Sequence, residues 1–472
     1  MPLGPDAPEL VARRWDEIVP VLHEYIAIPN VSEAFDPDWR VHGHMQRAVE
    51  LVTQWCRSRS LAGMTVEVHE LPGRSPVIVI EIPAFGDGSA DDTVLLYGHL
   101  DKQPEMEGWR DGLGPWTPVL EGDRLYGRGG ADDGYAVFAS LTALEAVQAS
   151  GGSHARCVVL IEASEESGSP DLPAHVDALA DRLGVPSFVV CLDSGCIDDR
   201  RMWVTTSLRG VVIATLSVDI VTEGLHSGDA SGMVPSTFRI ARSLLSRIED
   251  ESSGEVLLDS CRVTVPDERL EQARSTADEI GAIADHYPFV PGAGPTTPVA
   301  AEQLLARTWQ AALSVVGADG LPPTGRAGNV LRPSTSLRLS LRVPPTADAA
   351  AVLDELTSTL VADPPYGARV SVSHADAADG WNAPATTPWL ASALDEASTA
   401  AFGEPARHFG EGGSIPFMGM LGSQFPDAQF VITGVLLPDS NAHGPNEYLH
   451  LPTARRLTEA VAHLLDAHAR RG

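Results

Sequence analysis

The sequence predicts an α/β protein: a mainly parallel sheet carrying helices, interrupted by an inserted α+β domain. Three observations predict it. Short continuous apolar runs alternate with helical patterns up to residue 193. Near residue 208 the runs lengthen and begin to alternate apolar with polar. After residue 428 the first style returns.

Taken in order, "VARRWDEIVPVLHEYIAI" and "MQRAVELVTQWCRSRSL" carry apolar residues at helical spacing. "PVIVIEI" (76–82), "TVLLYGHLD" (93–101), "CVVLIEA" (157–163) and "SFVVCLD" (187–193) are apolar without alternation, as in strands covered on both faces. "YAVFASLTALEAVQAS" (135–150) reads as a helix between two of them, which implies parallel pairing. "LRGVVIATLSVDIV" (208–221) alternates in part, as an antiparallel strand with one wet face does. A helix follows over 234–248, with Val234, Phe238, Ala241, Leu245 and Ile248 on one stripe. A strand (335–343), a helix (347–361) and a strand (368–374) complete the α+β unit, around a Pro- and Gly-rich insertion at roughly 260–325. "AQFVITGVLL" (428–437) and a helix over 453–470 close the chain.

At 472 residues the chain is too long for one ordinary core. Hydrophobic residues make up 43% and charged residues 21%, as in globular proteins. No apolar run approaches the roughly 20 residues that span a bilayer. The N-terminus lacks a basic segment followed by an apolar one, so a cytoplasmic location is expected. The five cysteines form no CxxC pair, which argues against a disulfide framework and a cysteine zinc site. With 33 Lys and Arg against 64 Asp and Glu, the formal charge is −31. Such a surface disfavours nucleic acid and anionic membranes.

The chemistry lies after the strands. "TVLLYGHLD" ends in His99 and Asp101. "LYGRGGADDG" sets Asp132 and Asp133 in a glycine-rich turn ahead of a helix. "CVVLIEASEE" leads to Glu165 and Glu166, "SFVVCLD" to Asp193, and the late strand to "PDSNAHGPNE" with His443. In an open α/β sheet, residues past the carboxyl ends of parallel strands line one crevice. Alone, each has a plain reading: a hydrogen-bonded core histidine, a solvated acidic loop, a turn. Gathered in one crevice, so many acids repel, and divalent cations relieve them. Nitrogen and oxygen donors without thiolate suit zinc and tolerate manganese or cobalt. Two histidines with several acids fit a two-metal site, one carboxylate bridging cations about 3.5 Å apart. Asp101, two residues beyond His99 on an extended strand, points the same way and would fix the imidazole tautomer. One of the two glutamates would bind metal and the other would act as general base.

"YGHLD", "LYGRGGADDG", "EASEESGS", "LDSG", "LHSG" and "EGGSIP" occur in this order over most of the chain. Together they resemble the zinc aminoacylase and carnosinase-like metallopeptidase family, in the branch of cytosolic nonspecific dipeptidase and carnosinase. The resemblance implies a discontinuous zinc-peptidase catalytic domain, 1–207 and 379–472, with 208–378 as a ferredoxin-like lid and dimerisation domain. It implies His99, Asp132, Glu166, Asp193 and His443 as ligands of two divalent metals, Asp132 bridging. It implies Glu165 as general base and Asp101 as the residue orienting His99. It implies that His226, in "GLHSG", reaches the active site of the neighbouring subunit in a homodimer and stabilises the oxyanion. Asn329, Arg342, Gly413 and Ser414 would hold the substrate, the planar guanidinium of Arg342 meeting a carboxylate.

The family usually carries a lysine after the acidic pair; here Gly134 and Tyr135 follow. His374 precedes Trp381 at another spacing and stays outside the site. Without the resemblance, His226 reads as a helix cap, Arg342 as a strand-ladder residue and "GGS" as a flexible loop. The implied activity is amide hydrolysis of dipeptides or small peptides by activated water. Sister activities are hydrolysis of N-acyl amino acids and glutamate-type carboxypeptidase action. A binding protein that kept the fold conflicts with the intact Glu165, Asp132 and His443.

Overall fold

A computed structural model of the chain describes residues 3–4, 6–413 and 415–471. It divides into two compact units. The first comprises Met1–Thr205, Ala383–His408 and Met420–Gly472; the second comprises Thr206–Asn382 and Phe409–Gly419. The boundaries expected at 207 and 379 therefore shift to 205 and 383. The segment 409–419, expected in the catalytic domain, belongs to the second unit.

In the first unit the sheet runs Thr65–His69, Val77–Ile82, Arg156–Glu162, Thr93–His99, Pro186–Cys191, Gln429–Ile432, Trp203–Leu208. The middle four strands pair parallel. Thr93–His99 is buried throughout, as its unbroken apolar run requires. Helices Asp6–Ile26, Ala136–Ala149, Pro388–Phe402 and Leu451–Ala469 pack in one core with the sheet. Ala136–Ala149 is buried from Ala136 to Val147, because its residues are apolar or small except Glu145, whose carboxylate accepts from Arg14 Nε at 2.7 Å. Trp15 donates its indole N–H to Thr458 Oγ1 at 3.0 Å, which satisfies the one polar atom of a buried ring. Fully burying one Leu, Val or Ile side chain stabilises by about 1.5–3 kcal/mol, and this core holds dozens.

Gly98 decides how closely the acidic turn approaches the sheet. A Cβ there would lie 2.5 Å from Ala136 Cβ and 2.6 Å from Asp133 Oδ2. Only a residue without a side chain lets the start of Ala136–Ala149 rest on the strand end.

The second unit is a four-stranded antiparallel sheet in the order Ala312–Asp319, Ser334–Val343, Gly210–Asp219, Arg369–Ala378. Burial alternates strictly along Gly210–Asp219 and Ser334–Val343. Thr237–Leu245 and Ala349–Val361 pack with this sheet. The stripe of the first of these helices is Ile240, Ala241 and Leu244, while Phe238, expected inside, is 43% exposed. The stretch expected as an insertion contains helices Asp267–Ile280 and Ala300–Thr308 and the edge strand Ala312–Asp319. The late strand is shorter than expected, Gln429–Ile432. All five cysteines are buried, and none forms a disulfide. No described helix is long and apolar enough to cross a membrane.

Candidate metal centre

Most of these acids and imidazoles follow the carboxyl end of a strand in the first unit. His99 ends its strand, and Asp193 stands just past Cys191. Glu165 and Glu166 open a short 3-10 turn after Arg156–Glu162. Asp132 and Asp133, joined by a cis peptide bond, sit in the turn Gly130–Gly134 that precedes Ala136–Ala149. His443 lies in the loop after Gln429–Ile432, with a left-handed backbone at φ 63°.

Two donor clusters result, and Asp132 stands in both. His99, Asp132 and Asp193 form one; Asp132, Glu166 and His443 form the other; in each, the donor atoms lie within 4.8 Å of one another. His99 Nε2 is 3.4 Å from Asp132 Oδ1 and 3.8 Å from Asp193 Oδ1. His443 Nε2 is 3.0 Å from Asp132 Oδ2 and 3.3 Å from Glu166 Oε2. The two oxygens of Asp132 thus face two different imidazoles.

The electrostatics show the strain of gathering these acids. Burial raises the Glu165 carboxyl far above the usual range, and Asp193 raises it further. Burial and the charge of Asp132 push Glu166 up to about 8. Burial and Asp193 hold Asp133 well above the usual carboxylate range. Asp132 moves the other way: burial opposes ionisation, but the facing imidazoles of His443 and His99 outweigh it. Burial disfavours charge on His99, yet Asp193, Asp101 and Asp132 hold its imidazole well above the ordinary value. His99 Nε2 and Glu166 Oε1 are buried without a hydrogen-bond partner. Buried donor atoms left over, among acids that suppress one another's ionisation, fit cations. The set is nitrogen and oxygen only, which suits zinc-like divalent ions.

Asp101 differs from expectation in an instructive way. The strand ends at His99, so Asp101 lies beyond it and strand alternation does not orient its side chain. His99 Nδ1 is 3.1 Å from the backbone oxygen of Asp101 and 3.5 Å from Oδ1. The carboxylate itself accepts the backbone N–H groups of Glu165, at 3.1 Å, and Glu166, at 3.0 Å. One residue therefore touches both the histidine and the glutamate turn.

Several neighbours carry no sequence signal that singles them out. Gln103 donates to Glu166 Oε2 at 2.6 Å. The backbone N–H of His99 donates to Asp133 Oδ2 at 3.3 Å. Arg128 donates to Glu447 Oε2 at 2.5 Å and to the Gly444 carbonyl at 2.9 Å, while Gly129 N–H donates to Glu447 Oε1 at 2.9 Å. That buried pair ties the loop of His443 to the turn of Asp132. Lys102, fully buried, donates to the carbonyls of Tyr25 and Ile28 at 2.8 Å each, and anchors the segment that follows His99.

The remaining expected residues lie in the second unit. His226 ends the two-residue strand Leu225–His226, paired with Val330–Leu331. Its side chain is 70% exposed and makes no capping hydrogen bond to the helix after it. The carbonyl of Asn329 accepts from Ser227 N–H at 3.0 Å, so Asn329 adjoins His226 along the chain path. Arg342 is half-buried near the end of Ser334–Val343, and Gly413 is exposed. Ser414 lies outside the described residues.

Comparisons with known proteins identify the family. A family model described as peptidase family M20/M25/M40 matches residues 95–467. The chain is 31% identical over 397 residues to a cysteinylglycine-S-conjugate dipeptidase of Corynebacterium striatum, covering 82% of each. It is 26% identical over 400 residues to the Cys-Gly metallodipeptidase DUG1 of Saccharomyces cerevisiae, covering 80% of this chain and 78% of that one. The crystal structure of human carnosine dipeptidase 1 matches at a TM-score of 0.73 and 22% identity over 99% of both chains, a likeness of fold.

Proposed function

Because the chain belongs to peptidase family M20/M25/M40, we propose that it is a dipeptidase using two divalent cations per subunit, zinc first. The observation that carries the proposal is the presence of Asp132 in both donor clusters. His99, Asp132 and Asp193 would hold one cation; Asp132, Glu166 and His443 would hold the other. Bound there, divalent cations supply Lewis acidity and bring the pKa of a water toward neutrality.

The chain's own residues do the rest. Glu165 accepts a proton from the attacking water as the new C–O bond forms at the scissile carbonyl. It returns that proton to the amide nitrogen as the C–N bond breaks. Its burial favours the protonated state that this return requires. Asp101 fixes the backbone of Glu165 and Glu166, and so divides their work. Arg342, with Asn329 and the loop at Gly413 and Ser414, receives the substrate's backbone and terminal carboxylate. His226 stabilises the oxyanion in the neighbouring subunit of a homodimer; its exposure and lack of a capping role support that use. Five buried thiols outside any disulfide support a reducing, cytoplasmic setting.

The test is a substrate panel: dipeptides, N-acetyl amino acids and a folate-type glutamate conjugate, each with zinc or manganese. Turnover is expected on dipeptides above all. Turnover confined to N-acetyl amino acids or to the glutamate conjugate would replace the dipeptidase reading with a sister activity.

A further inference from the structure

In the second unit, one edge of an arginine has no hydrogen-bond partner among the described residues. Arg209 is 9% exposed and directly precedes the strand Gly210–Asp219. Its Nη1 donates to the Gln310 carbonyl at 3.2 Å and lies 3.5 Å from the Ala306 carbonyl, closing the end of Ala300–Thr308. Its Nε is buried without a hydrogen-bond partner, and its Nη2 makes no hydrogen bond among the described residues. Nε and Nη2 are neighbouring donors of one planar fork, the edge that grips a carboxylate through two parallel bonds. Against that edge stands Gly412, whose Cβ, if present, would be 3.0 Å from Nη2.

Two more guanidiniums belong to the same place. Arg307 packs at Gly412, its Cγ 3.6 Å from the same Cβ position. Arg342 adjoins through the sheet register, where Val343 pairs with Gly210. Burial, and then the charges of Arg342 and Arg307, lower the Arg209 pKa to about 10. None of the three pairs with a carboxylate among the described residues. Gathered cations without a counter-charge are costly unless a ligand supplies it.

We propose that the unpartnered Nε–Nη2 edge of Arg209, beside Arg307 and Arg342, is a second carboxylate subsite. The favoured substrate is then a dipeptide with aspartate or glutamate at its C-terminal position. Arg342 meets the terminal carboxylate, which is the reading this inference rests on, and Arg209 meets the side-chain carboxylate.

The test compares Ala-Glu with Ala-Gln, which share shape and differ in charge. Wild-type kcat/KM is expected to be at least about tenfold higher for Ala-Glu, in line with a charge-assisted hydrogen bond. Arg209→Met, which keeps an apolar stem, and Gly412→Ala, which crowds the edge, should each bring the ratio toward one. A wild-type ratio near one, or a high ratio kept by both variants, overturns the subsite. Should the wild type cleave neither peptide, the dipeptidase reading fails separately. Calorimetry with glutarate on the metal-loaded protein then decides the subsite. Affinity at least about tenfold weaker in Arg209→Met supports it, and equal affinity overturns it.

Discussion

The carboxylate of Asp101 accepts the backbone N–H of Glu165 at 3.1 Å, and its second oxygen accepts that of Glu166 at 3.0 Å. The same residue offers His99 Nδ1 its backbone oxygen at 3.1 Å. An anion that takes two N–H bonds fixes the turn and so separates the two adjacent carboxylates in space. Asn in place of Asp101 keeps the shape but turns an acceptor oxygen into a donor against an N–H. Asp101→Asn is expected to lower kcat about 10–100-fold and to weaken metal affinity, as residues supporting metal ligands do. Steady-state kinetics beside metal titration check it.

Glu165 and Glu166 should fail differently. Glu165→Ala removes the proton carrier, so kcat is expected to drop by about 10²–10⁴ with metal content unchanged. Glu166→Ala removes a donor from the cluster of Asp132 and His443, so metal content itself should fall. Identical metal loss in both variants would contradict this division.

The buried pair Arg128–Glu447 joins the His443 loop to the Asp132 turn. Glu447→Gln leaves the Arg128 charge buried and unpaired, at a cost of about 3–5 kcal/mol. Urea unfolding should show that loss, and a double variant Arg128→Met with Glu447→Leu should recover part of it. A single variant as stable as wild type would show that the pair contributes nothing.

His468 predicts a pH-dependent stability away from the site. Its ring is fully buried against Phe188 and Trp389, with Ser187 Oγ at 2.9 Å and Asp92 at 3.6 Å. Burial and then Arg471 push its pKa down to about 4, against the opposing pull of Asp92. The unfolded state, near the ordinary value of about 6.5, binds the extra proton first. Stability is therefore complete above pH about 6.5 and is lost as pH falls toward 4, by at most about 3 kcal/mol. Urea midpoints at pH 7 and pH 5 should differ more for wild type than for His468→Phe.

The shared-site proposal has its own signature. His226→Ala should lower turnover without altering metal content. Mixed with Glu165→Ala under conditions where subunits exchange, it should regain part of the activity. Proven mixed dimers with no regained activity would remove His226 from the neighbouring site.

Much of the donor set was legible because each residue follows a strand whose apolar run marks it. His99, Glu166 and Asp193 each stand at or within four residues of such an end. Asp132 was legible from its glycine-rich turn. Asp101's grip on the glutamate turn was not, since its bonds join residues 64 and 65 positions apart. The Arg128–Glu447 pair spans 319 positions and leaves no local pattern. The edge strand Ala312–Asp319 escaped because most of its side chains are partly or fully exposed, which removes the alternation a covered strand carries. Asp267–Ile280 escaped because only Arg269, Thr276 and Ala277 are buried, too few for an apolar stripe. Nothing in "FGEGGSIPFMG" marks it as part of the second unit; that assignment depends on contacts alone.

The central claim is that Asp132 sits between two cations. Elemental analysis of catalytically active, freshly purified protein measures this directly. Two equivalents of a divalent transition metal per chain, with activity lost on chelation and restored on readdition, is the expected result. Active protein free of such metals, with turnover indifferent to chelators, would contradict the account.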